Sequence, residues 1–119
     1  MARILIVDDS KTSRKILRSI LVENGHEVIG EAINGEDATH KYAELQPDIT
    51  TMDITMPIMD GIEALRKIID FDKDAKVVMV TAAGQKTKMV DAIKYGAAEF
   101  LTKPFEATKI IEIIEKVIG

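Results

Sequence analysis

The chain has 119 residues, which is enough for one ordinary domain with a single core. It holds 16 basic and 20 acidic residues, and the net charge of −4 argues against nucleic-acid binding by this chain alone. Cysteine is absent, which excludes disulfides, thiolate catalysis and zinc held through sulfur. The first apolar run stops at two acids, so it is neither a signal peptide nor a membrane span, and we expect a soluble cytoplasmic protein.

The first strand and helix set the pattern for the whole chain. Arg3–Val7 is short, apolar and rich in β-branched residues, which is typical of a strand buried on both faces of a parallel sheet. Ser10 is placed to cap a following helix, and Asn24 and Gly25 provide its end. A strand followed by an amphipathic helix is the unit of an α/β fold.

Four further units follow with short connections. We predict strands over Glu27–Ala32, Asp48–Asp53, Lys76–Thr81 and Ala98–Thr102, and helices through Ala38–Leu45, Ile62–Ile69, Met89–Ile93 and Glu106–Ile118. Asn34 and Gly35 are interpreted as a turn, and His26 and His40 as solvated. The fold class predicted is α/β, a doubly wound five-stranded parallel sheet with five helices. We expect residues 1–119 to form a single domain with no effector domain.

The rest of the chain is organised around Asp53. This residue ends a β-favouring run shortly before Pro57, so its carboxylate should lie where a buried strand opens into a loop. Open α/β sheets place their ligands at that edge. A carboxylate at the end of a buried strand is costly unless a metal ion or a lysine compensates its charge.

Both kinds of compensation are present at the ends of two other predicted strands. Asp8 and Asp9 follow the first strand, and Lys103 follows the fifth. If the strands are parallel neighbours, three carboxylates meet one ammonium group there, and such hard oxygen ligands suit Mg²⁺. Taken singly, each aspartate could simply end a strand or cap a helix, but their combination at several strand ends makes that interpretation weaker.

With these residues in place, the chain resembles the receiver domain of bacterial response regulators, and most closely the stand-alone regulators of chemotaxis. The matching motifs cover nearly the whole chain: Asp8-Asp9, Asp53 with Met56-Pro57 and Asp60-Gly61, Thr81-Ala82, and Lys103-Pro104-Phe105. The resemblance implies the strand order 2-1-3-4-5. It also implies a protein that is not an enzyme in the usual sense and catalyses only its own phosphorylation and dephosphorylation.

The resemblance further assigns roles to single residues. Asp53 would accept a phosphoryl group from a sensor histidine kinase of the chemotaxis type. Mg²⁺ would be bound directly by Asp9, mainly through water by Asp8, and also by Asp53 and the backbone carbonyl of Thr55. Lys103 would pair with the phosphoryl oxygens, and its peptide bond to Pro104 would be cis, although a plain helix start at Pro104 is the alternative.

The resemblance makes Thr81 and Phe100 a switch pair, in which Thr81 moves towards the phosphoryl group and Phe100 turns into the vacated space. The alternative is that both are fixed core residues. The expected partners are the kinase and a downstream protein such as the flagellar motor switch or a phosphatase, with no nucleic acid, no membrane insertion and a monomeric state. We expect an output face on the fourth helix, fifth strand and fifth helix, formed by Lys86, Lys88, Lys94, Phe100, Lys109, Ile111 and Ile118.

Other functions remain to be weighed against this one. A phosphorelay shuttle would use the same residues. A Mg²⁺-dependent phosphohydrolase would generally need a second acid soon after Asp53, where the chain has Thr55. A nucleotide-binding module would need a glycine-rich loop after the first strand, where the chain has Asp8-Asp9-Ser10.

Overall fold

Five parallel strands form one sheet in the order β2-β1-β3-β4-β5. A computed structural model describes residues 1–119. The elements along the chain are β1 (Arg3–Val7), α1 (Lys11–Glu23), β2 (Glu27–Ala32), α2 (Gly35–Leu45), β3 (Ile49–Asp53), α3 (Gly61–Phe71), β4 (Val77–Thr81), α4 (Lys86–Lys94), β5 (Glu99–Thr102) and α5 (Ala107–Ile118). The predicted doubly wound fold and its strand order are confirmed.

The sheet separates two apolar cores, because alternate residues of a strand point to opposite faces. Leu5 and Val7 of β1 pack on the side of α2 and α3, together with Leu65. Ile4 and Ile6 pack on the other side, with α1 and α5. Both faces of β1, β3 and β4 are therefore buried, as a parallel sheet covered by helices requires.

Helices α1, α2 and α3 begin where short polar side chains satisfy free backbone N–H groups. Ser10 Oγ accepts from the N–H of Ser13 at the start of α1, as predicted. Asn34 was interpreted as part of a turn, and this was wrong: its side chain caps α2, and Gly35 is the first helical residue. Glycine is required at position 35 because a Cβ atom there would lie 2.5 Å from the Met59 carbonyl oxygen.

His26 was interpreted as solvated, and this was also wrong. The pairing of β1 with β2 brings it against the start of the chain, where it is 7% exposed and its Nδ1 accepts from the Ala2 N–H at 3.0 Å. Nε2 has no partner. Burial, followed by the positive charge of the N-terminus, lowers the pKa of His26 below its ordinary value. His40 is exposed, as expected.

The edge strand β2 is irregular. Ile4 pairs with Val28 but Leu5 pairs with Gly30, so Ile29 is an extra residue that forms a bulge. Arg14 and Arg18 of α1 both bind the Glu31 carboxylate at 2.8 Å and tie this strand to the helix. At the opposite edge, β5 is only four residues long, and Lys116 of α5 binds its Glu99 at 2.9 Å.

Candidate phosphoacceptor and metal site

The ends of β1, β3 and β5 place four charged side chains together. We call this carboxyl-terminal side of the sheet the upper edge and the opposite side the lower edge. Oxygen atoms of Asp8, Asp9 and Asp53 all lie within 4.8 Å of one another. Lys103 Nζ lies 3.0 Å from Asp8 Oδ2 and 3.4 Å from Asp53 Oδ2. The fold therefore brings four residues into one cluster, although they are spread along the chain from Asp8 to Lys103.

Each acid of the cluster has a different environment. Asp8 is buried, and its Oδ1 accepts from the Ser10 N–H at 2.8 Å while Oδ2 faces Lys103. Asp9 is exposed and has neither a hydrogen bond nor an ion pair. Asp53 is 8% exposed and is the last residue of β3, paired in register with Val80 of β4. The sequence did not suggest that Lys103 approaches Asp8 more closely than Asp53.

The charges of the cluster act on one another. Burial and the nearby Asp8 carboxylate raise the pKa of Asp53 to about 6, although Lys103 acts in the opposite direction. Burial alone would lower the pKa of Lys103, but the hydrogen bond to Asp8 and the charge of Asp53 more than offset it, and the pKa is raised. Lys103 is therefore a firmly charged ammonium group that neutralises only part of the charge of the acids.

Tight backbone packing holds the loop that follows Asp53. A Cβ atom on Gly61 would lie 2.0 Å from the Asp53 carbonyl oxygen, so only glycine fits there. Ile58 has a φ of 69°, and Met59 donates its N–H to the Pro57 carbonyl around it at 2.7 Å. This is a γ-turn with positive φ, which is strained for a β-branched residue. The side chain of Ile58 is largely exposed, so packing does not offset this strain.

Thr81 and Phe100 lie on neighbouring strands close to the cluster. Thr81 is buried at the end of β4, and its hydroxyl donates to the Leu101 carbonyl at 3.3 Å. Phe100 is half-buried on β5 and packs against the core on the α3 side of the sheet. The Lys103–Pro104 peptide bond is cis.

The predicted output face is only partly assembled. Lys86, Lys88, Lys94 and Lys109 are exposed, and a groove of about 200 Å³ beside Phe100 is lined by Lys109 and Ile113. Ile118 is exposed, as expected, but neither Ile111 nor Ile118 lines the groove beside Phe100. Ile111 lies in a groove with Asn24 of α1, and Ile118 lies at the lower edge beside Met1 and Asp48. Helix α5 is rotated so that Ile113 faces the groove instead.

Gln85 is a residue of the site that the sequence did not reveal. Its side chain connects Thr55, in the loop after β3, to Ala82, in the loop after β4. The Thr55 side chain itself is exposed. A glutamine at the start of a helix carries no signal of such a contact, because the contact depends on how the two loops fold.

Comparison with known proteins agrees with this geometry. Residues 4–115 match the family model described as "Response regulator receiver domain". The chain is 50% identical to "Chemotaxis protein CheY" of Bacillus subtilis (strain 168) over 117 residues, covering 98% of each protein, and 49% identical to "Protein CcdB" of the same strain over 119 residues, covering 100% of this chain and 99% of the relative.

A similar solved structure is the CheX-CheY-BeF3-Mg complex from Borrelia burgdorferi. Its matching chain has a TM-score of 0.94 and 39% identity, and the match covers 98% of this chain and 89% of the other. The chain belongs to the response regulator receiver domain family. No helix is both long enough and apolar enough to cross a membrane.

Proposed function

We propose that this protein is a phosphorylation-activated response regulator in which Asp53 accepts a phosphoryl group in the presence of Mg²⁺. The observation that supports this most is the meeting of Asp8, Asp9, Asp53 and Lys103 at the upper edge. The acids carry more negative charge than Lys103 neutralises, as the raised pKa of Asp53 reflects. A cluster of this kind fits a hard divalent cation with oxygen ligands.

Each residue of the cluster has a separate role in the proposed phosphoryl transfer. An Asp53 oxygen attacks the phosphorus of a phosphohistidine, the phosphorus–nitrogen bond breaks, and the leaving imidazole takes up a proton. Asp8, Asp9 and Asp53, with the Thr55 carbonyl as a further ligand, would hold Mg²⁺, which supplies positive charge to the phosphoryl oxygens. Lys103 neutralises the charge from the other side once it exchanges its carboxylate partners for phosphoryl oxygens.

Labelling with acetyl phosphate, with and without Mg²⁺, tests this function. We expect a label on the wild type that needs Mg²⁺, is stable in acid and is released by alkali, as an acyl phosphate should be. Asp53→Asn should abolish the label. Asp60→Asn is the matched control, because Asp60 is exposed and caps α3, a role that asparagine also fills. Undiminished labelling of Asp53→Asn would overturn the proposal.

The unequal environments of the acids predict unequal losses of Mg²⁺ affinity. Asp9→Ala should weaken Mg²⁺ binding more than Asp8→Ala, because Asp9 is free while Asp8 is engaged by Lys103 and the Ser10 N–H. Lys103→Ala should leave Mg²⁺ binding intact or tighten it, and yet uncouple phosphorylation from output. Titrations of the three variants with Mg²⁺ measure these affinities. A weaker affinity in Lys103→Ala would contradict the role assigned to Lys103, which is to contact the phosphoryl group and not the metal.

We further propose that the output is protein binding in a chemotaxis circuit, with a histidine kinase upstream and the flagellar motor switch or a phosphatase downstream. Support comes from the near full-length similarity to a protein named for chemotaxis. The Thr81 hydroxyl donates to the Leu101 carbonyl, next to Phe100. If the Thr81 side chain turned towards a phosphoryl group on Asp53, this bond would break and would release β5 beside the groove that Lys109 lines.

Replacement of CheY in Bacillus subtilis tests the circuit. We expect this chain to restore spreading through soft agar and Asp53→Asn to fail. Failure of a chain that is correctly phosphorylated would favour the phosphorelay shuttle.

Amide-shift mapping with beryllium fluoride and Mg²⁺ tests the predicted output face. Shifts confined to the loops around Asp53, with the amides of Lys94, Phe100 and Lys109 unmoved, would exclude that face.

A further inference from the structure

The Gln85 side chain joins the two loops beside Asp53 by two short hydrogen bonds. Its Oε1 accepts from the Ala82 N–H at 2.6 Å, and its Nε2 donates to Thr55 Oγ1 at 2.7 Å. The direction of both bonds is fixed by chemistry. A backbone N–H can only donate, so the amide oxygen must face Ala82 and the amide nitrogen must face Thr55. We call these two bonds the Gln85 bridge.

The bridge spans the loops that flank the phosphoacceptor. Thr55 lies two residues after Asp53, and Ala82 directly follows Thr81 at the end of β4. Asp53 pairs in register with Val80, and the strands stay joined one residue further on, where the Ile54 N–H donates to the Val80 carbonyl. The carboxamide of Gln85 therefore connects the loop that follows Asp53 to the loop that follows Thr81. Its oxygen atom is the hydrogen-bond acceptor for the backbone N–H of Ala82.

The bridge leaves the start of α4 without a cap. Gln85 stands at the capping position of α4, and its side chain makes no capping hydrogen bond. Helices α1, α2 and α3 each begin with a side chain, from Ser10, Asn34 and Asp60, that accepts a helical N–H. Helix α5 also begins without a side-chain cap, at Glu106. The start of α4 differs because the side chain at its capping position bonds to both loops instead, which links this helix end to them.

We propose that Gln85 is a positioning residue that opposes the phosphorylation of Asp53 by holding the loop after β4. In the unmodified protein the bridge occupies the Ala82 N–H and holds the loop after β4. The bridge must open before that N–H can donate to an oxygen of a phosphoryl group on Asp53, and its opening frees the start of α4. This inference rests on the proposed function of Asp53, and it adds a residue that opposes phosphorylation and links it to α4.

Hydrogen exchange of the Ala82 amide tests the bridge in the protein without metal. In Gln85→Ala this amide should exchange roughly fivefold faster, as the loss of one hydrogen bond of ordinary strength implies. Thr87→Ala is the matched control, because Thr87 is exposed in the first turn of α4 and should leave the rate unchanged. An unchanged rate in Gln85→Ala would overturn the existence of the bridge.

Titration with beryllium fluoride at saturating Mg²⁺ tests whether Gln85 competes with a phosphoryl group for the Ala82 N–H. This probe imitates a phosphoryl group because it forms a tetrahedral anion on a carboxylate. Gln85→Ala should bind the probe roughly fivefold more tightly, since no bond has to be broken first. Thr55→Val, which removes only one of the two bonds, should give a smaller gain. A residue that merely supported the site would weaken binding when removed, so equal or weaker binding by Gln85→Ala would overturn the proposal.

The same titration separates the two proposals. If the wild type binds no probe, the proposed function of Asp53 fails. If the wild type and Gln85→Ala bind it equally, the function stands and the role of Gln85 fails.

Discussion

The upper and lower edges of the sheet treat their polar residues in opposite ways. At the lower edge, two hydrogen bonds join polar groups: Asp48 accepts from the Arg3 N–H at 2.8 Å, and the Tyr42 hydroxyl donates to Asp72 at 2.8 Å. At the upper edge, acids are gathered against one another, and a single lysine offsets part of their charge. The strained Ile58 turn also lies at the upper edge.

The difference separates an edge whose polar groups stabilise the fold from an edge that gathers unfavourable charge and strain. A paired polar group at the lower edge holds strand and helix ends together, and its loss should destabilise the protein. An uncompensated charge or a strained turn at the upper edge is unfavourable in the free protein, and its removal should stabilise it. Substitutions at the two edges should therefore change the free energy of unfolding in opposite directions.

The largest effect is expected for Asp53→Asn without metal. Because the folded pKa of Asp53, about 6, lies above its ordinary value of 3.8, the folded protein binds a proton at higher pH than the unfolded chain. The wild type should therefore gain stability as the pH falls through this window, and the variant should not. At pH 7 the variant should be more stable by about 1–2 kcal/mol, after allowance for solvent screening. Urea unfolding across pH measures this.

Addition of Mg²⁺ sharpens the same measurement. It should raise the unfolding midpoint of the wild type more than that of Asp53→Asn, since binding to the folded state stabilises it. Asp60→Asn should behave as the wild type in both conditions. If Asp53→Asn were less stable than the wild type without metal, the proposed difference between the two edges would be wrong.

Tyr42→Phe tests the lower edge. The ring still fills the core and can keep its edge-to-face contact with Phe71, but Asp72 loses a hydrogen-bond donor. The variant should lose about 1 kcal/mol of unfolding free energy. Denaturant titration measures this loss. An unchanged midpoint would show that a water molecule replaces the Tyr42 hydroxyl as a donor to Asp72 without loss of stability.

Ile58→Asn tests the strain at the upper edge. Asparagine tolerates positive φ better than a β-branched residue, and the exposed side chain of Ile58 contributes little packing. The variant should gain about 0.5–1 kcal/mol. Ile33→Asn is a useful control, because Ile33 is also exposed but has no positive φ. A loss of stability in Ile58→Asn would mean that the turn is not strained.

The smallest effect concerns the pH dependence at His26. Its folded pKa is lowered from the ordinary 6.5, so the unfolded chain takes up the proton first as the pH falls. The stability that neutral His26 contributes is present above about pH 6.5 and is progressively lost as the pH falls below it. His26→Gln should flatten this loss in thermal unfolding curves, whereas His40→Gln at an exposed position should not.

Much of the site could be predicted because it depends on strand ends alone. Asp8, Asp9, Asp53 and Lys103 follow parallel strands, and the carboxyl ends of such strands meet at one edge whatever the details of packing. The elements themselves could be predicted from apolar runs and from capping residues such as Ser10, since these signals are local.

The remaining features depend on geometry that sequence patterns do not contain. His26 is buried because β1 pairs beside it and presents the Ala2 N–H. Ile111 faces α1 because of how α5 is rotated on the sheet, which a wide apolar stripe leaves open. The contact of Gln85 with Thr55 joins residues 30 positions apart through two irregular loops.

The two border strands also bear on how this protein behaves when crowded with copies of itself. An unpaired strand border offers free backbone groups to another chain and can seed aggregation. Here β2 is interrupted by its bulge and carries Glu27 and Glu31, and β5 is short and carries Glu99. The irregular spacing of β2 and the shortness of β5 oppose strand-to-strand addition. The same bulge and ion pairs that hold the sheet's borders should thus help to keep the protein dispersed at high concentration.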